Sequence, residues 1–122
     1  MARMPTDTMT TTKVIKAMRF NEAKPKLSYL LTMPNAVQGV AKVFEYGADK
    51  YAPHNWKNGM PFTEVADSAL RHLTAFLAGE DNDPEFGLPH TDHALWNLMA
   101  LAEYHRTHSQ FDNRPKIEGA QA

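Results

Sequence analysis

The densest chemistry in the chain lies between Arg71 and Asn97, in the run RHLTAFLAGEDNDPEFGLPHTDHALWN. From Glu80 to His93 this run holds five carboxylates (Glu80, Asp81, Asp83, Glu85 and Asp92) and two imidazoles (His90 and His93). So many anions in one short stretch repel one another unless water or a cation screens them. A solvated acidic turn between two helices meets that demand, and so does a bound divalent cation. Helical geometry favours the cation, because His90, His93 and Asn97 stand at i, i+3 and i+7 and share one side of a helix. If the helix carrying His72 packs antiparallel to it, then His72, Glu80, Asp83, Glu85, His90 and His93 gather at one end of the pair.

Oxygen-rich ligand sets suit Mg2+ or Mn2+, and added imidazoles shift the preference toward Mn2+. With no cysteine in the chain, thiolate metal sites, disulfides and cysteine nucleophiles are excluded. An Asp/Glu/His site with open positions can neutralise a polyphosphate and activate water, so phosphoanhydride hydrolysis is the natural reaction class. On this reading Glu80 and Asp83 hold the cation, and Glu85 or His93 orients or deprotonates the water. The preceding loop, GADKYAPHNWKNGMP, supplies the complementary groups. Lys50 and Arg71 face phosphate oxygens, Tyr51 and Trp56 offer flat faces to a base, and Asn55 can read a base edge. Trp56 reads equally well as a loop anchor on the core, and the lysines as solvated charges.

Three helices must position these groups. The first is expected from the Thr32-Met33-Pro34 start to about Tyr46, with Ala36, Val37, Val40, Ala41 and Phe44 buried and Gly47 as a left-handed stop. The second is expected over about Glu64 to Ala78, capped by Thr63, with Glu64 and Asp67 favoured near its N-terminus by the helix dipole. Val65, Ala66, Ala69, Leu70, Leu73, Phe76 and Leu77 form its apolar stripe, and Gly79 ends it. The third should start near His90 and reach about His105, with Ala94, Leu95, Leu98, Leu101 and Ala102 inward. Before them lies an extended approach segment around Pro25, in which Leu27 to Leu31 could pair briefly as β.

The fold class is therefore all-α: a small bundle of about three main helices with an extended N-terminal segment. A flexible arm is expected over 1–18, the helical domain over 19–108 and a flexible tail over 109–122. A chain of 122 residues has room for one small core, which a homo-oligomer would complete. The 43% hydrophobic and 22% charged content fits a globular domain rather than a disordered or membrane chain. The N-terminus lacks the apolar region of a secretory signal, so a cytoplasmic protein is the expectation. Charge is segregated: residues 1–61 balance to +5 and residues 62–122 to -6. That suits two mutually attracting surfaces, or a site with cations facing phosphate on one side and carboxylates facing metal on the other.

The phrases GADKYAPHNWKNG and DSALRHLTAFLAGEDNDPEFGLPHTDHALWN resemble the phage and bacterial family of dATP/dGTP diphosphohydrolase N-terminal domains. That family includes MazZ-like enzymes related to the MazG all-α nucleotide pyrophosphohydrolases. The likeness covers roughly Lys24 to Tyr104. It implies a metal-dependent enzyme that cleaves a deoxyribonucleoside triphosphate between its α and β phosphates, releasing monophosphate and pyrophosphate. Glu80, Asp83 and Glu85 match the acidic motif, and Arg71, His72, His90 and His93 its flanking basic residues. The second helix departs from MazG proteins in lacking their Glu-x-x-Glu pair; its comparable face offers Glu64, Asp67 and Arg71.

Two other readings stay open. His72, His90, Asp92 and His93 could serve a His-Asp phosphohydrolase releasing triphosphate, although Thr91 interrupts the consecutive His-Asp pair those enzymes need. Alternatively, a phage accessory protein would use the basic N-terminal half to bind a host factor or nucleic acid, but the chain has no basic recognition helix.

Overall fold

The computed structural model describes residues 13–117. Among them lie three helices, α1 (Pro34–Lys50), α2 (Phe62–Leu77) and α3 (His90–Thr107), with short 3-10 turns at Leu27–Thr32, Asn55–Asn58 and Ser109–Phe111. No strand forms among the described residues; an isolated bridge joins Asn82 to Pro89. The all-α expectation is met. No described helix is long and apolar enough to cross a membrane. Residues 1–12 of the expected arm, and 118–122 of the expected tail, lie outside the described residues.

Several local readings need correction. Leu27–Thr32 is a 3-10 turn rather than β, and the Thr32 hydroxyl donates to the Tyr29 carbonyl at 2.7 Å instead of capping α1. Pro34 still opens α1, where its missing N–H costs nothing. Gly47 does not stop that helix, which runs a further turn to Lys50. Its buried residues are Gly39, Val40 and Val43, a face rotated from the expected one. Gly39 lets α1 approach α3 closely, since a Cβ there would meet the Asp92 carboxylate and displace it.

The start of α2 is satisfied from far along the chain. Thr63 does not cap it; the Thr63 N–H donates to Asn113 Oδ1 at 3.0 Å, and Asn113 Nδ2 donates to the Thr63 hydroxyl at 2.8 Å. The segment after His108 therefore differs from the expected loose tail: it turns at Ser109–Phe111 and places Asn113 on α2. The C-terminus of α2 closes as expected, on Gly79 at φ 101°. Gly79 N–H bonds to Phe76 and Glu80 N–H to Ala75, a Schellman arrangement that fixes where Glu80 leaves the helix.

Helices α2 and α3 pack antiparallel. At one end Phe62, Val65, Ala100 and Tyr104 form the apolar core, with Trp56, Trp96 and Phe111 against it. Tyr104 is 0% exposed, and its hydroxyl donates to the Trp56 carbonyl at 2.6 Å. The imidazoles gather at the other end. The inward face of α3 is His90, His93, Ala94, Asn97, Ala100 and Tyr104. Leu95 and Leu98, expected inside, face outward, and Leu98 is 54% exposed. Leu70, Leu73, Phe76 and Leu77 of α2 are exposed as well, Leu77 at 75%.

Candidate active site

A cleft of about 940 Å³ opens between the C-terminal half of α1, the Tyr51–Met60 loop, α2 and α3. The antiparallel pairing of α2 and α3 puts His72 beside the first turn of α3. The His72 and His93 rings stack with centroids 4.5 Å apart and planes 10° from parallel. His72 Nδ1 lies 2.9 Å from His90 Nδ1, and His90 Nε2 lies 2.6 Å from Glu80 Oε1. The spacing argument thus holds for the three imidazoles and Glu80, which meet at one end of the helix pair.

The connector brings in the other carboxylates. Its backbone closes through Asp83 N–H to Leu88, Gly87 N–H to Asp83 and His90 N–H to Asp81, with Gly87 at φ 78°. This fold carries Asp83, whose side chain is 18% exposed, to 3.8 Å from His93 Nε2. That nitrogen is buried and has no hydrogen-bond partner. Glu85 is held from α1: Lys50 Nζ and the Tyr46 hydroxyl each donate to Glu85 Oε2 at 3.1 Å.

Electrostatics follow from these partners. Hydrogen bonds from Lys50 and Tyr46 hold the Glu85 carboxyl below the ordinary range. Lys50 Nζ also donates to the Tyr46 hydroxyl at 3.1 Å, and this bond first, then the one to Glu85, raises the Lys50 ammonium. Burial lowers the His72 imidazole, and the neighbouring His93 and His90 lower it further. Burial also lowers His93, against an opposing pull from Asp83.

The expected ligand set of Glu80, Asp83, Glu85, His72, His90 and His93 is not assembled as such. Glu80 and both nitrogens of His90 are engaged in one hydrogen-bond chain, and Glu85 is paired with Lys50. Among the described residues no three His, Asp or Glu side chains are arranged to hold one metal ion. Glu80 and His90 do not line the cleft, whereas Asp83, Glu85, His72 and His93 do. Lys50, expected on phosphate, lines the cleft while bonded to Glu85. Arg71, Tyr51, Asn55 and Trp56 line the cleft, and Trp56 also packs on the core. Asp92 sits against Gly39 between α1 and α3, outside the cleft, which leaves the His-Asp reading without a shared site.

Sequence reasoning set Glu64 and Asp67 near the helix dipole and, with Arg71, on the face comparable to the MazG acidic pair, but it missed Ser68, Tyr46, His54 and Trp96, all of which line the cleft. The signal for the first group was present: Glu64, Asp67, Ser68 and Arg71 stand at i, i+3, i+4 and i+7 and share one face of α2. Among the described residues the Glu64 and Asp67 carboxylates have no hydrogen-bond or ion-pair partner.

The family described as dATP/dGTP diphosphohydrolase, N-terminal, matches residues 16–114. The chain belongs to this family. A family relative, a dATP/dGTP diphosphohydrolase of Salmonella phage PMBT28, is 34% identical over 83 residues, 68% of this chain and 28% of the relative. The chain thus spans little more than a quarter of the length of the curated relative it matches. No solved structure matches the chain.

Proposed function

We propose that this chain hydrolyses deoxypurine nucleoside triphosphates, dATP or dGTP, to the monophosphate and pyrophosphate with Mg2+ or Mn2+. The observation that carries the reading is the lining of the cleft. Carboxylates (Glu64 and Asp67 on α2 and Asp83 on the connector), a guanidinium (Arg71) and aromatic rings (Trp56 and Tyr51) line one space of about 940 Å³. Family membership and the name of the phage relative support it.

Carboxylate oxygens suit a hard cation, and this wall supplies them, whereas both nitrogens of His90 are spent on His72 and Glu80. Glu64, Asp67 and Asp83 are the cleft carboxylates available to an ion, although among the described residues no three of them are arranged around one point; when bound, an ion would neutralise polyphosphate charge. Arg71 grips phosphate oxygens with its planar fork, which matches their geometry. Trp56, fixed on the core, and Tyr51 flank the base, with Asn55 at its edge. The Lys50–Glu85–Tyr46 cluster ties the connector to α1 and so holds Asp83 at the cleft. A second copy of the chain covers the exposed leucines of α2 and α3, and the enzyme works in the cytoplasm of a bacterium or phage-infected host.

The test is pyrophosphate release from the four dNTPs and GTP with each metal, comparing wild type with Asp67→Asn. Release from the deoxypurines, and a loss of about 10²-fold or more in the variant, is expected. Background release by the wild type with both metals, or inorganic triphosphate as product, refutes the assignment.

A further inference from the structure

We propose that Glu80, His90 and His72 form a one-way hydrogen-bond chain that presents an unprotonated His72 Nε2 to the cleft as acceptor for the proton of the attacking water. This deepens the hydrolase reading and rests on it for its catalytic part.

The direction follows from the partners. An ionised carboxylate only accepts, so at 2.6 Å from Glu80 Oε1 the Nε2 of His90 must carry a hydrogen. In the proposed chain His90, 4% exposed, carries that one hydrogen and no other. A neutral His90 then has its lone pair on Nδ1. Two lone pairs cannot share the 2.9 Å between His90 Nδ1 and His72 Nδ1, so His72 donates from Nδ1. That leaves the lone pair of His72 on Nε2.

His72 lines the cleft and His90 does not, and Nε2 is the His72 nitrogen that the His90 contact leaves unused. Stacking on His93 fixes the ring plane. His72 Nε2 is not among the buried unpartnered atoms, which in the described residues are His93 Nε2 and Trp96 Nε1, so it is open to solvent. The other end of the chain also meets solvent, with the Glu80 side chain 53% exposed. Burial and the adjacent imidazoles lower the His72 pKa, which keeps the acceptor free near neutral pH.

In the step so assigned, a water proton passes to His72 Nε2 as the water oxygen bonds to the α phosphorus. The bond from that phosphorus to the bridging oxygen breaks, and pyrophosphate leaves with the electron pair. Glu80 and His90 act through His72 and are positioning residues.

The experiment is long-range 1H–15N correlation of the full chain, labelled with 15N-histidine, near pH 7.5. His72 is expected in the Nδ1–H form, against the Nε2–H preference of free histidine. In Glu80→Ala the His72 signal should move toward Nε2–H, pyrophosphate release should fall by about 10- to 100-fold, and affinity for a nonhydrolysable dNTP should stay within about two-fold. A wild-type His72 in the Nε2–H form overturns the proposal without any variant. So does a Glu80→Ala protein that keeps the wild-type rate. Since the tautomer is read without turnover, failure of the hydrolase reading appears separately, as background pyrophosphate release by a wild type whose His72 is Nδ1–H; that result overturns the acceptor role while leaving the chain's direction intact.

Discussion

The two faces of α3 divide the work of the molecule. Its inner face carries His90, His93 and Asn97 at the site end and Ala100 and Tyr104 at the core end, all buried. Its outer face carries Leu95, Leu98 and Met99, all exposed, and α2 likewise exposes Leu70, Leu73 and Leu77. Burying polar groups is costly unless they are bonded, and here they largely are: His90 is held at both nitrogens, and Asn97 Nδ2 donates to the His93 carbonyl at 2.8 Å. The leucines left outside make an apolar surface of the kind another protein surface covers. The inner face thus buries polar groups that are largely bonded, and the outer one leaves its leucines exposed.

Each half of that contrast can be broken. The largest effect is expected at the core end, where Tyr104→Ala removes a fully buried ring and its bond to Trp56; about 3–5 kcal/mol should be lost in urea unfolding. A loss under about 1 kcal/mol would mean that the core does not depend on this residue. On the outer face, Leu98→Glu should convert an assembly into monomers by light scattering. A wild type that is already monomeric removes the second copy from the account, and the substitution should then change stability by no more than about 0.5 kcal/mol.

Smaller effects sharpen the polar half. Asn97→Ala should cost about 1 kcal/mol through the lost bond to the His93 carbonyl. The smallest expected effect is pH-dependent. Because the His72 pKa is lowered from 6.5 on folding, the unfolded chain binds more protons than the folded one below that value. The contribution is complete above pH 6.5 and is lost as pH falls toward the folded pKa. The urea midpoint should therefore drop between pH 7.5 and 5.5 more in wild type than in His72→Phe; equal drops contradict this.

Helix existence was legible because the three-to-four-residue period survives in all three elements, and the ends at Pro34 and Gly79 follow from backbone chemistry at those residues. The gathering of His72, His90 and His93 was legible too, since helical spacing and one antiparallel pairing suffice. Which side of α3 turns inward was not. Its leucines and its histidines each make a plausible buried stripe, and a hydrophobicity rule chooses the wrong one when bonded imidazoles can be buried more cheaply in context. The partners of Lys50 and Glu80 were equally hidden, because both lie on other segments: Glu85 in the connector and His90 at the start of α3.

Taken alone, the order of residues determined three helices, the ends set by proline and glycine, and a set of titratable groups able to meet at one end of a pair. Those are local matters, governed by φ preference and by the 3.6-residue turn. Only the tertiary structure decided which groups touch: Asn113 on the start of α2, Lys50 on Glu85, and Glu80 on His90 rather than shared with Asp83. The reason is reach. A hydrogen bond is made or lost within a few tenths of an ångström, and that separation depends on how α1, the connector and α3 are seated together.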